Sequence, residues 1–283
     1  MPHASPHRAV DYLIIGHIAR DGMGPAARLG GTAAYAGLTA AALGQRVGLV
    51  TSTAPSIDLK QLSGLDLADS PAPHPTSFEN QYSGGRRLQK LLSLATPLGL
   101  EDVPAAWRHP PLVHLAPIAG EVDPSLAGRF PNSFVGITAQ GWLRGWDQAG
   151  LVHASSWEAI ADALPSADAV VVSVEDLAGD RSAGEAMAAH CRLLVVTDGP
   201  RGAMVFQGND VRHIPAPASE EVDPTGAGDV FAAAFFVRLT QTGDPWKAAR
   251  FANRLATASI TLEGVGGLGA MVANLAGEKQ ALE

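Results

Sequence analysis

At positions 223–229 the chain reads DPTGAGD, and from Val230 it runs on as VFAAAFFVRL. Two glycines flank an alanine, an aspartate closes the run, and an apolar segment of small residues begins at once. The segment from about Gly226 to Thr242 has the composition of a helix, so the glycines stand at its N-terminus. A helix N-terminus leaves backbone N–H groups unpaired and carries partial positive charge. Glycines there let the backbone approach a ligand with no Cβ in the way. GAG is therefore a candidate anion hole, suited to phosphate. Asp229 is foreign to a pure phosphate loop, because a carboxylate repels a ground-state phosphate. It fits a base that accepts the proton of an attacking hydroxyl beside that phosphate. Residue chemistry by itself leaves a plainer alternative open, a Gly-rich turn with Asp229 favouring the helix dipole.

Upstream of this motif, short apolar runs alternate with helix-like segments. VDYLIIGHIA (Val10–Ala19) opens with a buried strand, LGGTAAYAGLTAAALG (Leu29–Gly44) is a helix opened by Gly-Gly and closed by Gly44, and RVGLVTS is the next strand. PLVHLAPI, SFVGITAQG, DAVVVSVEDL and CRLLVVTDG each hold a run suited to a strand buried on both faces. SWEAIADALPSA and DRSAGEAMAAH read as helical connections, and GAMVFQGNDVRHIPAP as a hairpin around Gly208–Asp210. After the helix ending near Thr242, Gly243, Asp244 and Pro245 supply stop and start chemistry for a last helix. This rhythm predicts a three-layer α/β/α sandwich on a mostly parallel sheet. Between Ser70 and Ala95 the pattern changes. Three prolines precede TSFENQYS, where Thr76, Phe78, Asn80 and Tyr82 alternate with Ser77, Glu79 and Gln81, and SGG then turns the chain into RRLQKLLSLA. This excursion reads as a small β lid, with an ordinary edge hairpin as the alternative.

Composition bounds the partners. Of 283 residues, 46% are hydrophobic and 17% charged, and the formal net charge is −8. Phosphate-backbone binding needs clustered Lys and Arg, and GRRLQK (Gly85–Lys90) is the longest basic cluster, so no nucleic-acid partner is expected. The single cysteine, Cys191, cannot form an internal disulfide, and no Cys/His pair has zinc spacing. No apolar stretch reaches the ~18–20 residues of a membrane span, and no hydrophobic leader precedes the first strand. The expectation is a cytoplasmic protein with no membrane partner: a flexible tail at 1–9, one domain at 10–275 with lid segments around 12–35 and 72–96, and a tail at 276–283.

DPTGAGD followed by a small-residue apolar helix closely resembles the C-terminal signature of the PfkB/ribokinase family of carbohydrate kinases. The likeness extends in the family's order from about Val10 to Gly269. GHIARD with LGGTAAYAGLTAAALG resembles its N-terminal region, the flap its β lid, VVTDGPRGAMVF the strand–turn–strand before the signature, and FANRLATASITLEG the helix near the adenine. The resemblance implies an ATP-dependent kinase that phosphorylates a hydroxyl of a sugar or related polyol, inositol-like or hexose-like, with Mg²⁺. It implies Asp229 as catalytic base, Gly226, Ala227 and Gly228 as backbone donors to the transferred phosphate, and Asp223 and Thr225 as supports of that loop. Asp21, Gly30 and Gly31 would hold acceptor hydroxyls. Thr197, Gly199, Gly202, Thr225 and Asn253 would lie at the nucleotide.

Two positions depart from the family. Tyr35 stands where the family often has an Asn that helps hold the sugar, so the acceptor differs from ribose. SVED (Ser173–Asp176) replaces the Asn-x-x-Glu motif that organises magnesium, with Asp176 and its neighbour Glu175 as the metal candidates. A shorter carboxylate can act on Mg²⁺ through water; the alternative is that Asp176 merely caps the next helix. From the flap, Phe78 and Asn80 are favoured over Glu79 and Arg86 to close the pocket. Gln140 and Arg144, in a loop after a parallel strand, lie at the ligand-binding edge, with a structural tryptophan loop as the alternative. His17 near Asp21 is either a substrate contact or a half-buried strand-end residue. GVGGLG (Gly264–Gly269) matches G-x-G-x-x-G literally but comes after a helix, so it reads as a loop near the nucleotide and not as a dinucleotide motif. Two further functions stay open, a nucleoside kinase of the same fold and a sugar-binding or regulatory protein without turnover. A homodimer through the exposed lid edge is compatible with the sequence.

Overall fold

The first strand is buried at all four of its positions, Tyr12–Ile15, as a strand covered on both faces must be. The computed structural model describes residues 8–22, 27–83 and 86–280. In chain order the elements are β1 (Tyr12–Ile15), β2 (Ala19–Asp21), β3 (Arg28–Gly30), α1 (Thr32–Ala42), β4 (Val47–Thr51), β5 (Asp66–Asp69), β6 (Thr76–Ser83), β7 (Arg86–Ser93), β8 (Leu112–Leu115) and β9 (Phe134–Thr138). They continue as β10 (Arg144–Trp146), β11 (Val152–Ala154), β12 (Ala169–Ser173), α2 (Arg181–Ala188), β13 (Leu194–Thr197), β14 (Ala203–Gln207), β15 (Asp210–Ile214), α3 (Ala227–Thr242), α4 (Pro245–Ser259) and α5 (Leu268–Gln280).

Among the described residues the main sheet has nine strands in the order β15-β14-β13-β12-β9-β8-β1-β4-β5. Its pairs from β13 to β5 are all parallel, and the β13–β14–β15 meander adds two antiparallel pairs. Alternation along β1 sorts side chains to two cores. Tyr12 and Ile14 join α1, α3, α4 and α5 on one face, and Leu13 and Ile15 join Trp107, Trp142 and Met187 of α2 on the other. The sandwich is thus α/β/α, as the rhythm of the sequence predicts, with one layer thinner than expected. SWEAIADALPSA forms two short 3-10 turns, Trp157–Ile160 and Leu164–Ser166, rather than an α-helix. Pro165 lacks the N–H a continuing helix needs.

A separate four-stranded sheet, β3-β2-β6-β7, stands where the lid was expected. It begins at Ala19, so Tyr12–Ile15, within the expected lid segment 12–35, belongs to the main sheet instead. Phe78 is buried, and so are Thr76 and Ser77. A register shift at Ser77/Phe78 breaks strict alternation, because a bulge sets one extra residue against the partner strand. The turn glycines Gly84 and Gly85, the side chain of Arg86, and residues 1–7 of the expected tail lie outside the described residues.

The C-terminal expectations need two changes. α3 ends at Gly243 in a left-handed cap, and Asp244 caps α4 by accepting from the N–H groups of Trp246 and Lys247, as the sequence predicts. α4 stops at Ser259, however, and a further helix, α5, runs to Gln280. Residues 276–280 are therefore helical where a tail was expected, and GVGGLG is the turn that leads into that helix. Val272 is buried in the same core as α1, so α5 completes this layer. No helix among the described residues is long and apolar enough to cross a membrane.

One polar chain runs through the core. Tyr12 Oη lies 3.0 Å from His114 Nδ1, and His114 Nε2 lies 2.6 Å from Thr138 Oγ1, linking β1, β8 and β9. Complete burial pushes the ring's pKa down to about 3 from 6.5, so the ring is neutral at ordinary pH. The unfolded chain binds a proton here below about pH 6.5 that the folded chain refuses, so this contribution is present at neutral pH and fades as pH falls. Between about pH 7.5 and pH 5 it amounts to roughly 2 kcal/mol. Denaturant titration at the two pH values should show that loss in the wild type and a smaller one in His114→Gln.

Candidate active site

The site forms where two helix N-termini meet the lid. α3 begins at Gly226, whose φ of 79° is left-handed. A Cβ there would sit 2.3 Å from Cδ1 of Tyr35, so only glycine lets this loop pass the ring. Asp223 supports the turn by accepting from Thr225 N at 3.0 Å, and its own N–H donates to Ile260 O at 3.0 Å. The N–H of Ala227 is directed at Pro224 O at 3.2 Å, whereas those of Gly226 and Gly228 make no backbone hydrogen bond among the described residues. Of the three expected donors, Ala227 is thus occupied internally, a correction to the sequence reading. Gly228 is exposed and faces open space.

α1 supplies the opposite wall. Gly31 is its N-cap, without a side-chain cap, and Gly30 lies in β3. A Cβ on Gly30 would fall 2.1 Å from Asp21 Oδ2; the absent side chain is what lets the Asp21 carboxylate rest against the backbone before α1. Tyr35 is buried, and burial, then the charges of Asp223, Asp229 and Asp21, push its phenol well above the ordinary tyrosine range. Its ring therefore packs between Gly226 and the acidic residues as a wall of the site, which a smaller Asn could not be.

Asp229 lies in the first turn of α3. Burial pushes its carboxyl up to about 7. Thr32 and the Arg144 guanidinium pull the other way, and Asp176 and Asp21 add to the rise. These influences place Thr32, Arg144, Asp176 and Asp21 around one carboxyl that takes and releases a proton near neutrality, the condition of an efficient general base. Thr32 Oγ1 is buried, has no other hydrogen-bond partner among the described residues, and favours the ionised Asp229 carboxylate by hydrogen bonding towards it.

The four-stranded sheet and the loops after β8 and β9 border one side of the candidate site. Phe78 is buried, with the Arg144 guanidinium 6.0 Å from its ring centre, and the register pairs it with Asp21 on β2. Asn80 accepts from Gln89 Nε2 at 3.1 Å across the lid. Gln140 is half-buried beside the structural Trp142, whose indole donates to Val122 O at 2.6 Å. His17 is fully buried, with Nδ1 2.7 Å from Thr76 Oγ1 and Nε2 2.8 Å from Thr96 O, so it ties the end of β1 to both ends of the β6–β7 hairpin and is not free for substrate. Sequence reasoning missed Glu121. It is buried, and its carboxylate accepts from the N–H groups of His17, Ile118 and Ala119. It thereby pins the ends of β1 and β8 under the lid. Its only sequence signal is an acid in an apolar stretch just past a strand.

The residues expected at the nucleotide are less concentrated. Thr197 ends β13, and its hydroxyl donates to Val172 O at 3.3 Å. Gly199 and Gly202 form the turn to β14, where the Asp198 carboxylate pairs with Arg201 and Arg181. Asn253 is buried and donates to Ile214 O at 2.9 Å and to Pro215 O at 3.3 Å, so its amide ties α4 to the end of β15. Asp176 and Ser173 bond reciprocally, Ser173 N to Asp176 Oδ2 at 2.9 Å and Asp176 N to Ser173 Oγ at 3.0 Å. SVED is therefore a self-capped turn, and Asp176 still acts electrostatically on Asp229. Glu175 is exposed. No cluster of three or more His, Cys, Asp or Glu suited to a metal occurs among the described residues. A hydrated Mg²⁺ needs only one or two carboxylates when phosphates supply the rest, and half-buried Asp176 fits that demand.

Comparison with known proteins agrees with this geometry. Residues 148–269 match the family model for pfkB family carbohydrate kinases. The chain is 42% identical over 83 residues to a ribokinase of Bacillus subtilis (strain 168), covering 29% of this chain and 28% of that one. It is 29% identical over 157 residues to a fructokinase of Escherichia coli, half of each chain. The chain thus spans about half the length, or less, of these curated relatives. A solved pyrophosphate-dependent myo-inositol-1 kinase, converted into a myo-inositol-3 kinase, superposes with a TM-score of 0.79 at 20% identity, over 95% of this chain and 99% of that one, a likeness of fold. The sequence match over residues 148–269 and the shared fold make this chain similar to pfkB family carbohydrate kinases.

Proposed function

We propose that the protein is an ATP-dependent kinase transferring the γ-phosphate to a hydroxyl of a sugar or related polyol, inositol-like or hexose-like. The observation that carries this reading is Asp229: a carboxyl with a proton affinity near neutrality, in the first turn of a helix whose Gly226 and Gly228 N–H groups are free of backbone partners. Asp21 would accept hydrogen bonds from acceptor hydroxyls, and Phe78 would cover the apolar face of the ring. Arg144 would steady charge between acceptor and phosphate, and Asn80 and Gln140 would bound the pocket. Asp229 would take the proton of the attacking hydroxyl, while Gly226 and Gly228 stabilise charge on the transferred group. Thr197, Gly199, Gly202 and Thr225 would border the donor. Mg²⁺, when bound, supplies charge neutralisation on the donor phosphates, and Asp176 would hold it through water. Lid closure would exclude water as a competing acceptor.

Pyrophosphate is a second donor reading, favoured by the inositol kinase that shares the fold and by the engagement of Asn253 with backbone carbonyls. A screen of inositol, hexoses, ribose and nucleosides, each with Mg²⁺ and either ATP or pyrophosphate, tests both. Phosphorylation of a polyol with ATP is the expected result. Turnover only with nucleosides, or none with any acceptor despite measurable binding, would overturn it. Two copies would pair through the lid, where Leu88 and Leu92 on β7 are 42% and 40% exposed. Light scattering of the eluting protein should then give twice the chain mass.

A further inference from the structure

The geometry points to Arg28 as a positioning residue that ties the lid to the phosphoryl-transfer loop; the inference rests on the phosphotransfer reading above. Arg28 opens β3 in the lid, and the β2–β3 register sets it directly opposite Asp21. Its Nη1 lies 3.6 Å from Asp223 Oδ2 and its Nη2 lies 2.5 Å from Glu263 Oε1. Three separate segments therefore meet at one guanidinium: the lid strand, the turn before α3 and the turn after α4. Gly264 N adds to the junction by donating to Asp223 Oδ2 at 3.2 Å. An open groove of about 550 Å³ runs alongside, with Arg28 and Leu29 on one bank, Asp58 and Gln61 on another, and Gly264–Gly266 on the third.

Charge accounts for the direction of the effect. An exposed ion pair contributes little, and the side chains of Arg28 and Glu263 are 54% and 66% exposed. Asp223 differs, with a side chain only 17% exposed. Burial works to raise its proton affinity, but the hydrogen bonds from Thr225 and Gly264 and the Arg28 charge carry it below the usual carboxylate range. Withdrawing Arg28 leaves a largely shielded carboxylate without its cation at the foot of the anion loop. The loop then loses a constraint on the N–H groups of Gly226 and Gly228. Because Asp21 and Arg28 are cross-strand neighbours, a hydroxyl bound by Asp21 steadies the strand that carries Arg28. Acceptor binding thus reaches the donor loop through one strand pair. Arginine suits this role better than lysine, because its planar fork can engage two carboxylates at once.

The test compares wild type, Arg28→Met, Arg28→Lys and Glu263→Gln. One readout is amide hydrogen exchange of residues 223–229 without any substrate. The other is the ratio of acceptor phosphorylation to donor hydrolysis in the absence of acceptor. Arg28→Met should speed exchange in the loop about tenfold and lower that ratio about tenfold, each corresponding to ~1.4 kcal/mol of lost constraint. Lys should restore part of both, and Glu263→Gln should give a smaller change. Unchanged exchange and an unchanged ratio in Arg28→Met, with only a lower Tm, would reduce Arg28 to a surface ion pair. Exchange needs no turnover, so an inactive wild type would overturn the phosphotransfer reading while exchange still decides whether Arg28 holds the loop.

Discussion

Asp229→Asn should lower kcat by about 10²- to 10⁴-fold, the range for loss of a positioned general base. The amide cannot take the proton of the acceptor hydroxyl, and the hydroxyl remains a poor nucleophile. Donor affinity should change little, because the free N–H groups belong to Gly226 and Gly228. Wild-type kcat should rise with pH through about 7, where the carboxyl becomes the base, and the variant should lose that limb. Stability gives an independent check on the same group. The folded state raises this proton affinity from 3.8 to about 7, so it holds a proton there that the unfolded chain has released. The corresponding stabilisation is present at low pH and is lost as pH rises through about 7. Asn carries no charge at any pH. Its Tm gain over wild type should therefore be larger at about pH 8 than at about pH 5. Substantial turnover by Asp229→Asn would remove the residue from the role of base.

Gly226→Ala should cost both fold and activity. At a φ of 79° an alanine meets its own carbonyl, a strain of about 1–2 kcal/mol. Its Cβ would also fall 2.3 Å from the Tyr35 ring, which is buried and cannot swing clear. The loop must move instead, carrying the Gly228 N–H away from the phosphate. Misplacing one such donor lowers kcat by about 10²–10³-fold. Tm should fall by several degrees, roughly 2–4 °C per kcal/mol for a chain of this size. A double-mutant cycle with Tyr35→Ala separates the two causes. The stability cost of Gly226→Ala should be smaller once the ring is gone, because contacting residues are not additive. Strict additivity would show that the left-handed backbone alone sets the cost.

The sequence made the layer plan legible because its signals are local. Buried parallel strands appear as short apolar runs, and α3 and α4 are bounded by Gly243, Asp244 and Pro245 in consecutive positions. The segments that misled are those where local signals are ambiguous. SWEAIADALPSA has helical composition but carries Pro165, and the stretch before α5 looks like a glycine loop until Val272 reaches the core. Within the candidate site, DPTGAGD announced a glycine-bounded helix start with Asp229 in its first turn, because glycine and acid placement at a helix start is a property of consecutive residues.

Thr32, Glu121 and Arg28 were not singled out from sequence. Each acts across a large separation: Thr32 on Asp229, Glu121 on His17, and Arg28 on Asp223 and Glu263. Tyr35 was legible as bulk in an unusual place, but not as the ring that Gly226 must clear. The Asn253 amide is engaged by carbonyls at Ile214 and Pro215, and His17, open in the sequence to either a substrate contact or a strand-end role, is spent on the Thr96 carbonyl and the Thr76 hydroxyl. By itself the sequence determined the three-layer plan and the helix start that carries Gly226, Gly228 and Asp229. Only the tertiary structure decided which polar groups face the cleft and which satisfy the backbone, because a hydrogen bond depends on which atoms folding brings within about 3 Å and not on their spacing along the chain.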